Sequence, residues 1–305
     1  MLSNGCSWYE THRLGGCIRR STPRDECLLP GMQPLQTRHR LALIVPYRSK
    51  SRRVVLHDVS ELCTRVGKHL SQTDITFQIF IANQVDHKPF NRGALANAVV
   101  AALADERIAR GQFTSFGSPS LKPRRPLAFD YLAVHDVDRF PVTANASNQC
   151  ERATAQYYQF PSAFPRVLHP LSFAGGVLLV TLWLYLSVNG FSNSYWGWGE
   201  EDNDMFLRLR WCGLPPIHGD RLDECMEHRD CAACRIQKQK VETHALHTAE
   251  HRMRKRLPHP RPYMLRDGVS SLNFTLQGRP YGMQCGATTA TIMDINLSGH
   301  RTSQS

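Results

Sequence analysis

The sequence lacks an uninterrupted apolar run of bilayer length. Its longest candidate, Phe173 to Phe191, opens on Gly175-Gly176, closes on Asn189-Gly190 and is diluted by Ser172, Ser187 and Asn189. A membrane helix needs ~20 unbroken apolar residues, so this stretch reads as a buried strand running into a buried helix. The stretch from Met1 to Arg40 has no apolar core of the signal-peptide kind, so any export signal is absent or was lost from the chain. No internal repeat is visible, which excludes solenoids and propellers. With 42% hydrophobic, 21% charged and 9% aromatic residues, the composition also excludes collagenous, coiled-coil and wholly disordered classes. Ten cysteines are too few for a disulfide scaffold. One CxxC is present, Cys231-Ala-Ala-Cys234 near Cys225, and no second one completes a four-ligand zinc site. Loop disulfides or free thiols are therefore the plainer reading, and the redox compartment stays open.

What is present fits one large domain or two modest ones: 305 residues, with 37 basic against 26 acidic side chains and a net charge of +11. That excess suits an anionic partner, whether nucleic acid, a membrane surface or a nucleotide phosphate. The basic, His-rich segment 229–262 includes Arg252-Met253-Arg254-Lys255-Arg256 but no interleaved aromatics on which bases would stack. It reads as a solvated segment, and nucleic acid is not an expected partner.

Along the chain, residues 1–38 lack periodicity and read as a tail or stem. Leu41-Ala42-Leu43-Ile44-Val45, stopped by Pro46, is a strand buried on both faces, and Ile75 to Ala82 repeats the pattern. Between them Val54, Leu56, Val59, Leu62, Val66 and Leu70 mark one face of a helix, giving a β-α-β unit. A second helix, Ala94 to Ala104, follows polar Asn91, and Tyr131 to Val134 forms a third buried strand. Alternating strands and helices predict an α/β fold with a mainly parallel central sheet. Segment 113–126 has the composition of an inserted loop, and a last helix is expected over Asp204 to Trp211.

Ligands of open parallel sheets bind at the carboxyl ends of the strands, where the third strand runs into His135-Asp136-Val137-Asp138. If the chain stays extended, Asp136 and Asp138 point to one side, one to hold a divalent cation and the other to orient sugar hydroxyls. A second cluster, Tyr195-Trp196-Gly197-Trp198-Gly199-Glu200-Glu201-Asp202-Asn203-Asp204, combines rings that stack on sugars, hinge glycines and a carboxylate able to take a proton. The same acids also suit a helix N-terminus. Arg48 and Arg92 follow predicted strands and can meet phosphates, and His228 in Met226-Glu227-His228 can join Asp138 on a metal.

Taken in order, Val45-Pro46-Tyr47-Arg48, Asn83-Gln84-Val85-Asp86-His87, Phe90-Asn91-Arg92, His135-Asp136-Val137-Asp138, Gly175-Gly176-Val177, the run from Asn189 to Gly199 and Asp267-Gly268-Val269 resemble the β-1,4-galactosyltransferase family. Asn83 to His87, His135 and His169-Pro170-Leu171 look most like the branch that galactosylates xylose on proteoglycan cores.

The resemblance covers residues 39–298, leaves 299–305 as a tail, and implies a GT-A fold, a Rossmann-like nucleotide-sugar-binding sheet. It implies Mn²⁺-dependent, inverting β-1,4 transfer of galactose from UDP-galactose to a glycan or glycoprotein acceptor, in the Golgi lumen. Membrane association would then run through an anchor not evident in this chain. By the same resemblance Pro46, Tyr47, Arg48, Phe90, Arg92, Asp136, Val137 and Trp198 contact the donor, while Glu201, Gly199 and Phe173 contact the acceptor. Asp138, His228 and Met226 would ligate the metal, and Asp202 is the catalytic base. Asp138 and Asp202 are thus expected to converge on one reacting carbon. Three departures stand out: Asn203 where the family has an acid, Phe173 where the xylose pocket has tyrosines, and Leu182-Trp183-Leu184-Tyr185-Leu186 where the family is more polar. These leave an N-acetylglucosamine acceptor, or a non-catalytic UDP-sugar or glycan binder, as alternatives.

Overall fold

The computed structural model describes residues 39–49, 52–104, 115–116, 128–142, 148–161, 164–168, 173–197, 199–218, 225–228 and 261–297. The expectations for 1–38, 229–260 and 299–305, and most of those for 113–126, lie outside these residues.

Strand β1, Arg40–Tyr47, is buried from Leu41 onward. Side chains alternate along a strand, so β1 feeds two cores. Ala42 and Ile44 join one, and Leu41, Leu43, Val45 and Tyr47 join the other. Helix α1, Arg52–Ser71, covers the second core with Val59, Leu62, Cys63, Val66 and Leu70, a single face at 3.6-residue spacing. Strand β2, Thr76–Gln84, returns parallel to β1, in register from Arg40 opposite Thr76 to Tyr47 opposite Asn83. Helix α2, Arg92–Ala104, is buried from Arg92 to Ala102 and covers the first core, as a helix apolar all round must be. Its start is fixed by Asn91, whose Oδ1 accepts from the Ala94 N–H at 2.8 Å, an N-cap.

Strand β3, Ser115–Phe116, falls inside the stretch expected to be a loop. Strand β4, Tyr131–His135, pairs parallel with β1. Then come β5, Arg139–Pro141; α3, Asn148–Tyr157; β6, Arg166–Val167; β7, Val177–Thr181; and α4, Leu182–Ser187. Helix α5 is Glu201–Trp211, followed by β8, Ile217–His218, β9, Met226–His228, α6, Arg261–Arg266, β10, Phe274–Leu276, β11, Tyr281–Cys285, and β12, Thr288–Asn296. The main sheet has ten strands among the described residues, in the order β3-β10-β12-β2-β1-β4-β7-β6-β8, with β11 paired to β12.

Its centre, β12-β2-β1-β4, is parallel as expected. Its flanks are largely antiparallel, at β4–β7, β6–β7, β10–β12, β10–β3 and β11–β12. The two residues between β11 and β12 permit only a hairpin. Ser115–Phe116 pairs antiparallel with β10 as an edge strand, so this part of the stretch is sheet rather than loop. Strands β5 and β9 form a separate two-stranded ribbon.

Phe173 to Phe191 resolves into β7 and α4, with Thr181 Oγ1 capping α4 by accepting from the Leu184 N–H at 3.2 Å. No helix among the described residues is long and apolar enough to cross a membrane. Trp183 of α4 lines a cavity of about 300 Å³ with Phe160, Phe164 and Leu214, beside the starts of β1 and β4. Among the described residues, one disulfide ties Cys63 of α1 to Cys285 of β11 in the second core, and another joins Cys150 of α3 to Cys225. The latter removes Cys225 from the cysteine cluster read in the sequence, whose Cys231 and Cys234 lie outside the described residues.

Candidate active site

The parallel centre presents its carboxyl ends at one edge: Arg48 after β1, Asp86 to Phe90 after β2, and Asp136 after β4. The Gly175-Gly176 pair that leads into antiparallel β7 meets them there, with the Asp136 N–H donating to the Gly176 carbonyl at 2.8 Å. Pro46 and Tyr47 are buried, and the Tyr47 side chain belongs to the second core. Arg48 is committed to the backbone after β2, donating to the carbonyls of Asp86, at 3.2 Å, and Lys88. Asp86 in turn accepts from Gln84 Nε2, the Lys88 N–H and the Leu297 N–H, so this turn is rigidly held.

Arg92 is the focus of charge. It occupies the first position of α2, where a cation opposes the helix dipole, so something else must favour it. Its Nε donates to Asp136 Oδ1 at 2.7 Å, and its guanidinium lies 5.5 Å from the Phe191 ring. Burial works against the cation, but Asp136, Glu201 and Asp202 together outweigh it and raise its pKa. Three stretches far apart in sequence therefore gather round one guanidinium. Nη1 and Nη2 are buried without a hydrogen-bond partner. A buried donor left so is costly, and the arrangement suits an anionic or hydroxyl-bearing ligand.

Helix α5 begins three residues before the expected Asp204, which puts Glu201 and Asp202 in its first turn, where acids complement the dipole. The Ala174 N–H donates to the Asp202 carbonyl at 3.1 Å, tying this turn to the Gly-Gly segment. Asp202 Oδ1 accepts from the Asn203 N–H at 2.8 Å. Its Oδ2 lies 2.7 Å from where a Cβ on Gly175 would stand, and Phe173 Cε2 is equally close to that point. Gly175 is thus the gap into which the candidate base and the candidate acceptor aromatic both fit. Burial raises the pKa of Asp202 against the pull of Arg92. Glu201 is pushed up to about 8, first by burial and then by Asp202. Burial and mutual repulsion thus favour the protonated forms of both acids, and Arg92 opposes them.

The segment leading into α5 is unusually left-handed: Gly197, Gly199 and Glu200 have φ of 108°, 97° and 74°. Trp198 lies outside the described residues. The Gly197 N–H donates to the Phe90 carbonyl at 2.7 Å, and Lys88 Nζ lies 4.9 Å from the Trp196 ring centre, so this segment rests on the turn after β2.

Asp136 and Asp138 lie in a turn between β4 and β5 rather than on extended chain, with Val137 buried between the two less buried acids. Arg139 is opposite His228 and Pro141 opposite Met226 in the β5–β9 ribbon. Asp138 is therefore one residue from the position facing His228, while the Met226 side chain is 4% exposed and packs in the second core. A carboxylate and an imidazole are donors that suit a borderline divalent ion; a thioether is a soft one.

Several residues that hold the site gave no sequence signal. The buried Asn97 makes four bonds, accepting from Tyr185 Oη and the Phe191 N–H and donating to the Phe191 carbonyl and Asn193 Oδ1. Arg208 is fully buried: Nε donates to Asp204 Oδ2 at 2.7 Å, Nη1 to the carbonyls of Val188, Gly190 and Asp267, and Nη2 to Tyr263 Oη. Asp267 also accepts from Ser192 Oγ, the Asn193 N–H and Ser194 Oγ, so α5, the 188–194 segment and the 263–271 block form one hydrogen-bonded unit. Apart from Arg208–Asp204, four residues apart on one helix, periodicity cannot reveal such bonds, because their partners are 18 to 96 residues apart.

A family profile described as the N-terminal region of glycosyl transferase group 7 matches residues 31–151, and one described as the N-terminal domain of galactosyltransferase matches 156–253. The chain is 30% identical over 186 residues to beta-1,4-galactosyltransferase 7 of Drosophila melanogaster, an alignment covering 58% of this chain and 46% of that protein. It is 33% identical over 179 residues to the xylosylprotein 4-beta-galactosyltransferase of Caenorhabditis elegans, covering 58% and 53%. The chain thus spans about half the length of the curated relatives it matches. Among solved structures, a mutant of the Drosophila beta-1,4-galactosyltransferase 7 in complex with manganese, UDP-Gal and xylobiose superposes with a TM-score of 0.59 at 25% identity, covering 85% of this chain and 94% of that one. The catalytic domain of the same enzyme with xylobiose gives 0.60 at 24% identity over the same shares, which supports the GT-A fold.

Proposed function

Because the chain belongs to the glycosyltransferase group 7 family of galactosyltransferases, we propose that it transfers galactose from UDP-galactose to the 4-hydroxyl of a sugar acceptor, xylose on a proteoglycan core, with inversion. The observation that carries this reading is the buried Arg92 guanidinium, ringed by Asp136, Glu201 and Asp202 with two nitrogens unpartnered, at the carboxyl edge of the parallel strands. Arg92 and Asp136 would hold the donor sugar and diphosphate, and Phe90 and Arg48 would frame the nucleotide side. Glu201 would hydrogen-bond the acceptor, with Phe173 against its apolar face.

Asp202 would take the proton of the attacking hydroxyl as its oxygen bonds to C1 of galactose and the bond from C1 to the UDP oxygen breaks. Its pKa, raised by burial, suits that role, since a stronger base accepts the proton more readily. A single displacement inverts the anomeric centre. Asp138 and His228 would hold Mn²⁺, whereas Met226, a soft thioether packed in the second core, fits it poorly. When bound, the ion supplies positive charge to offset that growing on the departing diphosphate. Two disulfides suit an oxidising compartment, and the family resemblance makes that the Golgi lumen.

The test is release of UDP and formation of the disaccharide from UDP-galactose and Mn²⁺, with xylosides and N-acetylglucosaminides compared as acceptors. Asp202→Asn is expected to lower turnover by at least about a hundredfold while leaving UDP affinity unchanged. Turnover preserved in that variant would remove the role given to Asp202, and N-acetylglucosamine preferred over xylose would overturn the acceptor assignment.

A further inference from the structure

We propose that the side chains of Glu200 and Asn203 form a clasp across the start of α5 that positions Asp202, making Asn203 a positioning residue for the transfer step. The inference rests on the proposed function only for its kinetic readout. Glu200 is the N-cap residue of α5 and sits at φ 74°, a left-handed conformation that a side chain with a Cβ adopts reluctantly. Its side chain makes no hydrogen bond to the helix backbone. What engages it instead is Asn203, whose Nδ2 donates to Glu200 Oε2 at 2.7 Å. The Asp204 N–H closes the same turn on the Glu200 carbonyl at 2.9 Å.

Asp202 lies inside this loop, with Oδ1 on the Asn203 N–H at 2.8 Å and Oδ2 facing Gly175. Asn203 therefore braces the turn twice, by its backbone onto Asp202 and by its side chain onto Glu200. The charged groups that act on Asp202 are Arg92, Asp136, Glu200 and Glu201. Among the four consecutive residues 200 to 203, Asn203 is the one without a carboxylate, and it supplies a donor to Glu200. An aspartate there is acceptor-only when ionised and would set two carboxylates against each other. Glu200 and Asn203 thus make a matched pair: the acid at the cap requires an amide three residues on.

Asparagine and glutamate can be exchanged in role, which supplies the test. Purified wild type, Asn203→Asp, Glu200→Gln and the double variant E200Q/N203D are compared for kcat and donor KM. In the double variant the glutamine amide donates to the aspartate carboxylate, so the clasp reforms with its polarity reversed. Asn203→Asp is expected to lose about tenfold or more in kcat with donor KM within about twofold of wild type, and the double variant to recover most of that loss. Wild-type kcat in Asn203→Asp, or a double variant as slow as Asn203→Asp, would overturn the clasp. Should wild-type protein transfer no galactose to any acceptor, the proposed function fails, and the same four proteins test the clasp by melting. Additive shifts of melting temperature would then overturn it, and non-additive rescue would sustain it.

Discussion

Gly175 shows how much of the site depends on an absent atom. A methyl group there would stand 2.7 Å from both Asp202 Oδ2 and a ring carbon of Phe173, well inside van der Waals contact. Relief would require the base or the aromatic to move, and misplacement by about 1 Å is enough to cost about a hundredfold in rate. Gly175→Ala is therefore expected to lower the initial rate of galactose transfer by at least about tenfold while the protein remains folded, checked by rate assay beside circular dichroism. The sequence marks Gly175-Gly176 as punctuation, but not as the space shared by two functional groups. Arg92 was legible as an anion-binding candidate because it follows a strand end. Tyr47 was legible as a residue near that end, yet strand alternation sends its ring into the second core with Leu43 and Val45. Glu200 and Asn203 read as part of an acidic run, since a backbone angle of 74° at a glutamate cannot be foreseen from residue type.

At the level of elements, β4 and the turn after α3 meet at a buried histidine. His135 is fully buried, its Nδ1 donating to the Asp136 carbonyl at 2.8 Å, so its Nε2 accepts from Tyr158 Oη, also at 2.8 Å. Burial pulls its pKa down from 6.5 to about 4, which keeps it neutral in the fold. The unfolded chain takes up a proton near pH 6.5 and the folded chain does not until about pH 4. This histidine's contribution is hence fully present above pH 6.5, falls as the pH drops through that window, and levels off below it. Its size is about 3 kcal/mol across the window. Urea unfolding of wild type and His135→Gln between pH 7 and pH 4 should show a steeper loss in wild type, and parallel curves would refute the assignment.

The elements themselves were largely legible. Apolar runs mark β1, β2 and β4, and the 3.6-residue stripe marks α1. The antiparallel flanks were not, because strands of two or three residues such as β3, β6 and β10 carry too little pattern.

Over the whole molecule, the disulfide between Cys63 and Cys285 joins residues 222 apart, linking α1 to the β11–β12 hairpin, whose β12 lies beside β2. Closing so long a loop in the unfolded chain removes much of its conformational freedom. Replacing both cysteines by alanine is expected to lower unfolding free energy by about 2–5 kcal/mol, read as the shift in denaturant midpoint at unchanged slope. An unchanged midpoint would show that packing in the second core alone holds these elements together. The charge of +11 is a property of this scale too, and the acidic cleft around Arg92 does not account for it.

Strand β12, late in the order of the chain, inserts between β10 and β2 rather than adding to an outer edge. Until residues 288–296 have left the ribosome, β2 keeps an open edge, and the thiol of Cys63 awaits a partner supplied only by the hairpin arm just before them. Maturation of this fold consequently waits on strand β12, and any chaperone that assists it has to shield that seam until residues 288–296 emerge.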